Sequence, residues 1–147
     1  MKRNIHAIAG VIGFLTILSF WASTVLVELF GTPQSIAQVK SLILMGMFVL
    51  IPSMVIAGGS GMAIGGRRKD APARAKKKRM PAIAANGLLV LLPAAVFLEA
   101  RASVGTFDMA FYIVQAIELI AGGVNLTMMA LNIRSGRQMA RQRKTRI

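Results

Sequence analysis

Four blocks of apolar residues, at 5–27, 41–63, 82–98 and 109–133, are separated by short polar or charged stretches. About 20 apolar residues cross the hydrocarbon of a bilayer as a helix, so each block has, or nearly has, the length of a span. A soluble domain of 147 residues does not need four such blocks. Lipid offers no partner to backbone N–H and C=O groups, so the segments must satisfy themselves as helices. The expected fold is therefore all-α. It is a single domain over residues 1–147, with four transmembrane helices in an antiparallel bundle. A composition 55% hydrophobic and a mean hydropathy of +0.62 agree with that expectation.

The formal net charge of +13 suggests a nucleic-acid binder until its placement is read. Lys2 and Arg3 precede the first block. Eight basic residues, from Arg67 to Arg79, lie between the second and third, and six, from Arg134 to Arg146, follow the fourth. The other two connections hold only Lys40 and Arg101. That asymmetry predicts both termini and the central loop in the cytoplasm. The loop, 64–81, and the tail, 134–147, are then expected to lie against anionic lipid headgroups. No aromatic residues are interleaved with these charges, so nucleic acid is not expected as a partner. The first block is longer than the apolar core of a secretory leader and no clear A-x-A site follows it, so it reads as a span. A bacterial inner membrane is the simplest home.

Cysteine is absent, which removes disulfides, thiolate metal sites and thiol nucleophiles. With a single histidine and no phosphate-binding loop, the parts of a hydrolytic site are missing, and no enzymatic activity is expected.

The fourth block carries the strongest functional signal. Gln115, Glu118, Gly122, Asn125, Met129 and Asn132 recur at intervals of three and four. This spacing places them on one face of a helix. A carboxylate and amides in hydrocarbon are costly, so that face is expected to turn inward toward partners, water or a ligand. Gln115, Glu118 and Asn125, with Asn86 of the third block, are the candidate intramembrane polar site. Glu118 reads either as a proton acceptor or cation ligand, or as a hydrogen-bonding element that holds helices together. Asn86 and Asn125 are expected to bond each other or a carbonyl freed by Pro52, which should kink the second span.

His6 supports a sharper expectation. It lies one turn before Gly10, and Gly10 and Gly13 leave room for a flat ring. Small four-helix membrane proteins hold b-type haem on such a histidine, with Met80, at the same depth, or a histidine of a second subunit as the other axial ligand. Three functions follow: a ligand- or cofactor-binding bundle with haem b on His6; a proton-coupled small-molecule transporter using Glu118; or an accessory subunit of a larger membrane complex. The glycine faces of the first two spans are candidate homodimer interfaces. Near the outer ends, Glu28 and Glu99 are expected to pair with Lys40 and Arg101. Phe107, Phe111 and Tyr112 should form an interfacial aromatic belt. Asp108 is the expected N-cap of the fourth span, and Pro81 should open the third.

Overall fold

The computed structural model describes residues 2–65 and 71–144. Residue 1, residues 66–70 of the basic loop and 145–147 of the tail lie outside it, as do the side chains of Lys2, Arg3, Ile64, Arg143 and Lys144. Every described segment is helical except the turns at 31–32 and 104–108. The elements are α1 (Lys2–Phe30), α2 (Pro33–Gly65), α3 (Ala71–Asn86), a π-helical segment (Gly87–Leu91), α4 (Leu92–Ser103) and α5 (Met109–Lys144). Since α3, the π segment and α4 run continuously, the chain forms four rods. Each is long and apolar enough to cross a membrane. The bundle is closed: α1 packs on α2 and α5, and the third rod packs on the same two helices.

The helices are longer than the apolar blocks. α2 has 33 residues and α5 has 36, lengths of about 50 Å or more at 1.5 Å per residue, against about 30 Å of hydrocarbon. Charge ends hydrophobicity but does not end a helix. Residues 71–81, expected as loop, are helical, because alanine, lysine and arginine are strong helix formers. Pro81 consequently sits inside α3 rather than at its start. The π segment answers Pro93: a proline lacks the N–H and crowds the carbonyl four residues back, and a widened turn relieves both.

Caps fix the opposite end. The Thr32 N–H donates to Ser35 Oγ at 2.7 Å and the Ser35 N–H returns to Thr32 Oγ1 at 3.3 Å. With Pro33 at the first helical position, this starts α2 immediately after α1. A Cβ at Gly31 would lie 2.5 Å from the Val27 carbonyl, so only glycine closes this turn. Asp108 caps α5 as expected, accepting from the Phe111 N–H at 3.0 Å, and pairs with Arg101.

The outside is far more apolar than that of a soluble protein. Phe48, Leu89 and Phe30 are largely exposed, as lipid-facing residues should be, while Lys40, Thr24, Gln115 and Asn125 are buried. Two apolar layers cross the bundle. Ile36, Leu98, Ala102 and Phe111 form one near the short turns, and Ile17, Ile83 and Met129 form the other nearer the basic end. Phe111 therefore belongs to the core and not to an interfacial belt. Its ring meets Phe107 edge-on at 5.0 Å, and Tyr112 remains outside.

Between these layers, Trp21 lies against Gly122 and donates Nε1–H to the Leu119 carbonyl at 2.9 Å. A Cβ at Gly122 would stand 3.0 Å from Trp21 Cδ1. Gly122→Val should push the indole out and cost about 1–3 kcal/mol, the usual range for overpacking. Trp21 is the chain's single tryptophan, so its emission maximum should move in that variant and reports the displacement directly.

The Asp108 cap carries a pH signature. The Phe111 N–H, with Arg101 beside it, holds the Asp108 carboxyl below the usual carboxylate range. Its contribution is complete above that range and is lost as pH falls through the lowered value. The unfolding midpoint of the native chain, followed from about pH 5 to pH 2, should show an acid-side decline that is shallower in Asp108→Ala.

Candidate functional site

All six seam residues of α5 turn inward. Gln115, Gly122, Asn125, Met129 and Asn132 are buried, and the Glu118 side chain is 12% exposed. The partner of Glu118 comes from α2. Lys40 Nζ donates to Glu118 Oε2 at 2.6 Å, and the lysine side chain is completely enclosed. Lys40 was expected in an outer connection, pairing across the surface. The Thr32–Ser35 cap instead begins α2 seven residues earlier, which carries Lys40 about 10 Å into the helix. Of the other charges near the short turns, Arg101 goes to Asp108, while Ser41 donates to Glu99 at 3.3 Å.

Gln115 completes the pair. Its Nε2–H donates to Glu118 Oε2 at 3.1 Å. A carboxylate only accepts, so the amide must present its nitrogen, and Gln115 Oε1 is left without a partner. Across the site stands α1, whose inward stripe at this level is Trp21, Thr24 and Glu28. Thr24 is fully buried with Oγ1 unpartnered, and Glu28 has a buried Oε1 in the same condition. Glu28 interacts electrostatically with both Lys40 and Glu118. Only Glu118 is in contact with the ammonium; Glu28 stands near it. Neither Glu28 nor Thr24 stood among the seam candidates. Their spacing behind Trp21, three residues and then four, was the available signal, masked by the position of Glu28 at the end of an apolar block.

Asn86 and Asn125 do not bond each other. Asn86 Nδ2 donates to the Ala121 carbonyl at 2.8 Å, and not to a carbonyl freed by Pro52. Asn125 is enclosed beside Gly87 of the π segment with Oδ1 unpartnered, as is Asn132 Oδ1 nearer the basic end. Asn86 and Asn125 form a second polar level, separated from the charged one by Trp21 and Gly122, and Asn132 lies beyond Met129.

His6 and Met80 do come together. Both pack on Gly61, where a Cβ would lie 2.8 Å from Met80 Cε and 3.0 Å from His6 Cε1. The imidazole is nevertheless fully engaged. Nδ1 donates to the Ala57 carbonyl at 3.0 Å, which leaves the lone pair on Nε2, and Lys76 Nζ stands 2.6 Å from that atom. An axial bond to iron needs that lone pair. The expected ring space is also filled on one side: Gly13 meets Met54 and Met129, whereas Gly10 has nothing within 4 Å. These residues do not fit an axial haem site. They form a histidine–lysine hydrogen bond that fastens α1 to α2 and α3.

Compared with protein-family models, curated proteins and solved structures, the chain matches none.

Magnitudes separate the contacts. A neutral interhelical hydrogen bond inside a membrane, such as those of Asn86 and Trp21, is worth about 0.6 kcal/mol on average. Removing one member of a buried ion pair costs about 3–5 kcal/mol, because the other charge is left uncompensated. Lys40→Met and Glu118→Leu should each destabilise the bundle by about that larger amount, and the double variant should return close to the native value. Unfolding midpoints in mixed detergent would measure this cycle. Two additive losses would contradict a buried pair.

Proposed function

We propose that this integral membrane protein carries out proton-linked transport, with the Lys40–Glu118 pair as its proton-responsive element. The observation that supports this reading most is a buried ammonium, Lys40, bonded to an intramembrane carboxylate, Glu118, with a second carboxylate, Glu28, near enough to feel both charges. Ionisable groups at such depth are costly and mark ion or proton paths in membrane proteins. A proton delivered to Glu118 neutralises the acid and frees Lys40, whose remaining counter-ion is Glu28. The ammonium then has two alternative partners on two different helices, α5 and α1. Exchange between them couples proton binding to helix movement, as alternating access requires.

The layers around the pair suit that role. Ile36, Leu98 and Phe111 close it toward the short turns, and Trp21 on Gly122 closes it toward the basic end. Glu28, half-buried at the end of α1, is the natural route for protons from the turn side. The charge asymmetry of the sequence assigns the basic end to the cytoplasm, consistent with a bacterial inner membrane and with anionic lipid against α3 and the end of α5. Gly10, Gly58 and Gly59 have nothing packed on them, which leaves α1 and α2 free to approach a second copy.

Proteoliposomes with a trapped pH-sensitive dye, driven by a potassium diffusion potential, test the reading. The native protein should acidify the lumen. Glu118→Gln should slow the process by about a hundredfold, the low end of what a positioned proton-transfer group contributes. Native flux equal to that of protein-free vesicles, or flux unchanged in Glu118→Gln, would overturn it.

A further inference from the structure

A proton on Glu118 still stands far from the basic end. From Glu118 to Ser135 is 17 residues of α5, about 25 Å at 1.5 Å per residue. No helix offers a titrating side chain over that depth. Residues 7–27, 41–65, 80–98 and 119–133 hold no Asp, Glu, His, Lys, Arg, Tyr or Cys. The polar groups there that face inward and lack a partner are two amides of α5. Asn125 and Asn132 are 1% and 9% exposed, and neither side-chain oxygen has a hydrogen-bond partner among the described residues. An amide that only clasps helices is bonded to a neighbour, as Asn86 is to the Ala121 carbonyl. Buried acceptors that the chain leaves open are satisfied by bound water. Ser135, also buried, follows Asn132 by one turn, and its Oγ accepts from Arg79 at 3.4 Å, where α3 and α5 reach the basic end.

We propose, on the proton-linked reading, that this face of α5 is a hydrated path between Glu118 and the basic end, with water held by Asn125 and Asn132. A water gives one hydrogen to the amide oxygen and keeps its own oxygen open to accept. Each water in such a file takes up one proton and releases another, so charge crosses with no other reactant. Two side chains interrupt the path, and each rests on a glycine. Trp21 lies on Gly122, between Glu118 and Asn125. Met129 lies between Asn125 and Asn132, and its Cε is 3.6 Å from where a Cβ of Gly13 would stand. Methionine is unbranched and flexible, so this second closure can swing aside while the backbone stays in place.

The chain has no cysteine, so single thiols can be placed in it without background. Asn125→Cys and Asn132→Cys put one on the seam. Val124→Cys and Leu131→Cys put one at the same two depths on the outward side. The full chain in proteoliposomes would receive a charged, water-soluble methanethiosulfonate on both faces. The seam thiols should react about tenfold or more faster than their outward neighbours, because the thiolate is the attacking species and an apolar surrounding suppresses it. Asn132→Leu should slow lumen acidification about tenfold, the effect of one lost hydrogen bond. Asn132→Ser, whose hydroxyl still holds water, should restore it.

Radiolysis of the native chain in the same vesicles is a second readout and needs no variant. Hydroxyl radicals formed from water oxidise an adjacent methionine to its sulfoxide. Met129, 6% exposed but beside the path, should be oxidised more than Met45, which is 66% exposed and turned outward. Seam thiols no faster than their outward neighbours, or Met129 oxidised less than Met45, would overturn the inference. Neither labelling nor radiolysis needs a gradient. Proton flux with a dry seam would remove this inference and leave the proton-linked reading, and a wet seam in a chain that moves no protons would remove that reading.

Discussion

A lysine that is completely enclosed and a glutamate that is mostly so meet inside this bundle, and their contact constrains everything else in it. Lys40 and Glu118 come from different hairpins, so their contact joins the α1–α2 pair to the α3–α5 pair. Its alternatives are poor. A charged side chain turned outward would face acyl chains, and one left inside alone would be uncompensated. The pair thereby fixes the rotation of α2 and α5 about their axes more firmly than apolar packing does, because lipid competes for apolar contacts on nearly equal terms. The remaining interhelical bonds, from Trp21 to Leu119, Asn86 to Ala121 and His6 to Ala57, are consistent with the rotation the pair imposes.

The structure also gives the charged level an asymmetric setting. Toward the short turns it meets aliphatic and aromatic side chains. Toward the basic end it meets an indole held against a glycine, then amides beside a widened helical turn, then a second apolar layer. A π turn next to a polar side chain is a frequent feature of functional sites, and here a proline one turn on accounts for it. Polar levels alternating with apolar closures are the arrangement in which a small shift of one helix changes access without unfolding anything.

Much of this arrangement was legible in the residues. The four blocks gave the four rods, and the 3–4 spacing on α5 gave the inward face without error at any of its six positions, because helical geometry leaves little freedom in a span. The depth of Lys40 was not legible from hydropathy. A charged residue beside an apolar block reads as its boundary, and only the Thr32-Pro33-x-Ser35 cap reveals that the helix has already begun. The same confusion of apolar edge with helix end hid residues 71–81, although their alanine and lysine content was a signal for helix. His6 and Met80 were placed together correctly, yet which atoms the imidazole bonds is a tertiary fact. Lys76, on a segment expected to be loop, decided it.

The account stands on the contact between Lys40 and Glu118, and zero-length cross-linking in native membranes tests it most directly. A membrane-permeant carbodiimide adds to an intramembrane carboxyl to give an O-acylisourea, and an amine already in contact with it, once deprotonated, displaces the urea and closes an amide. Peptide mapping should find Lys40 joined to Glu118. Glu118 capped by the reagent alone, with Lys40 unmodified or joined to a different carboxyl, would contradict the account.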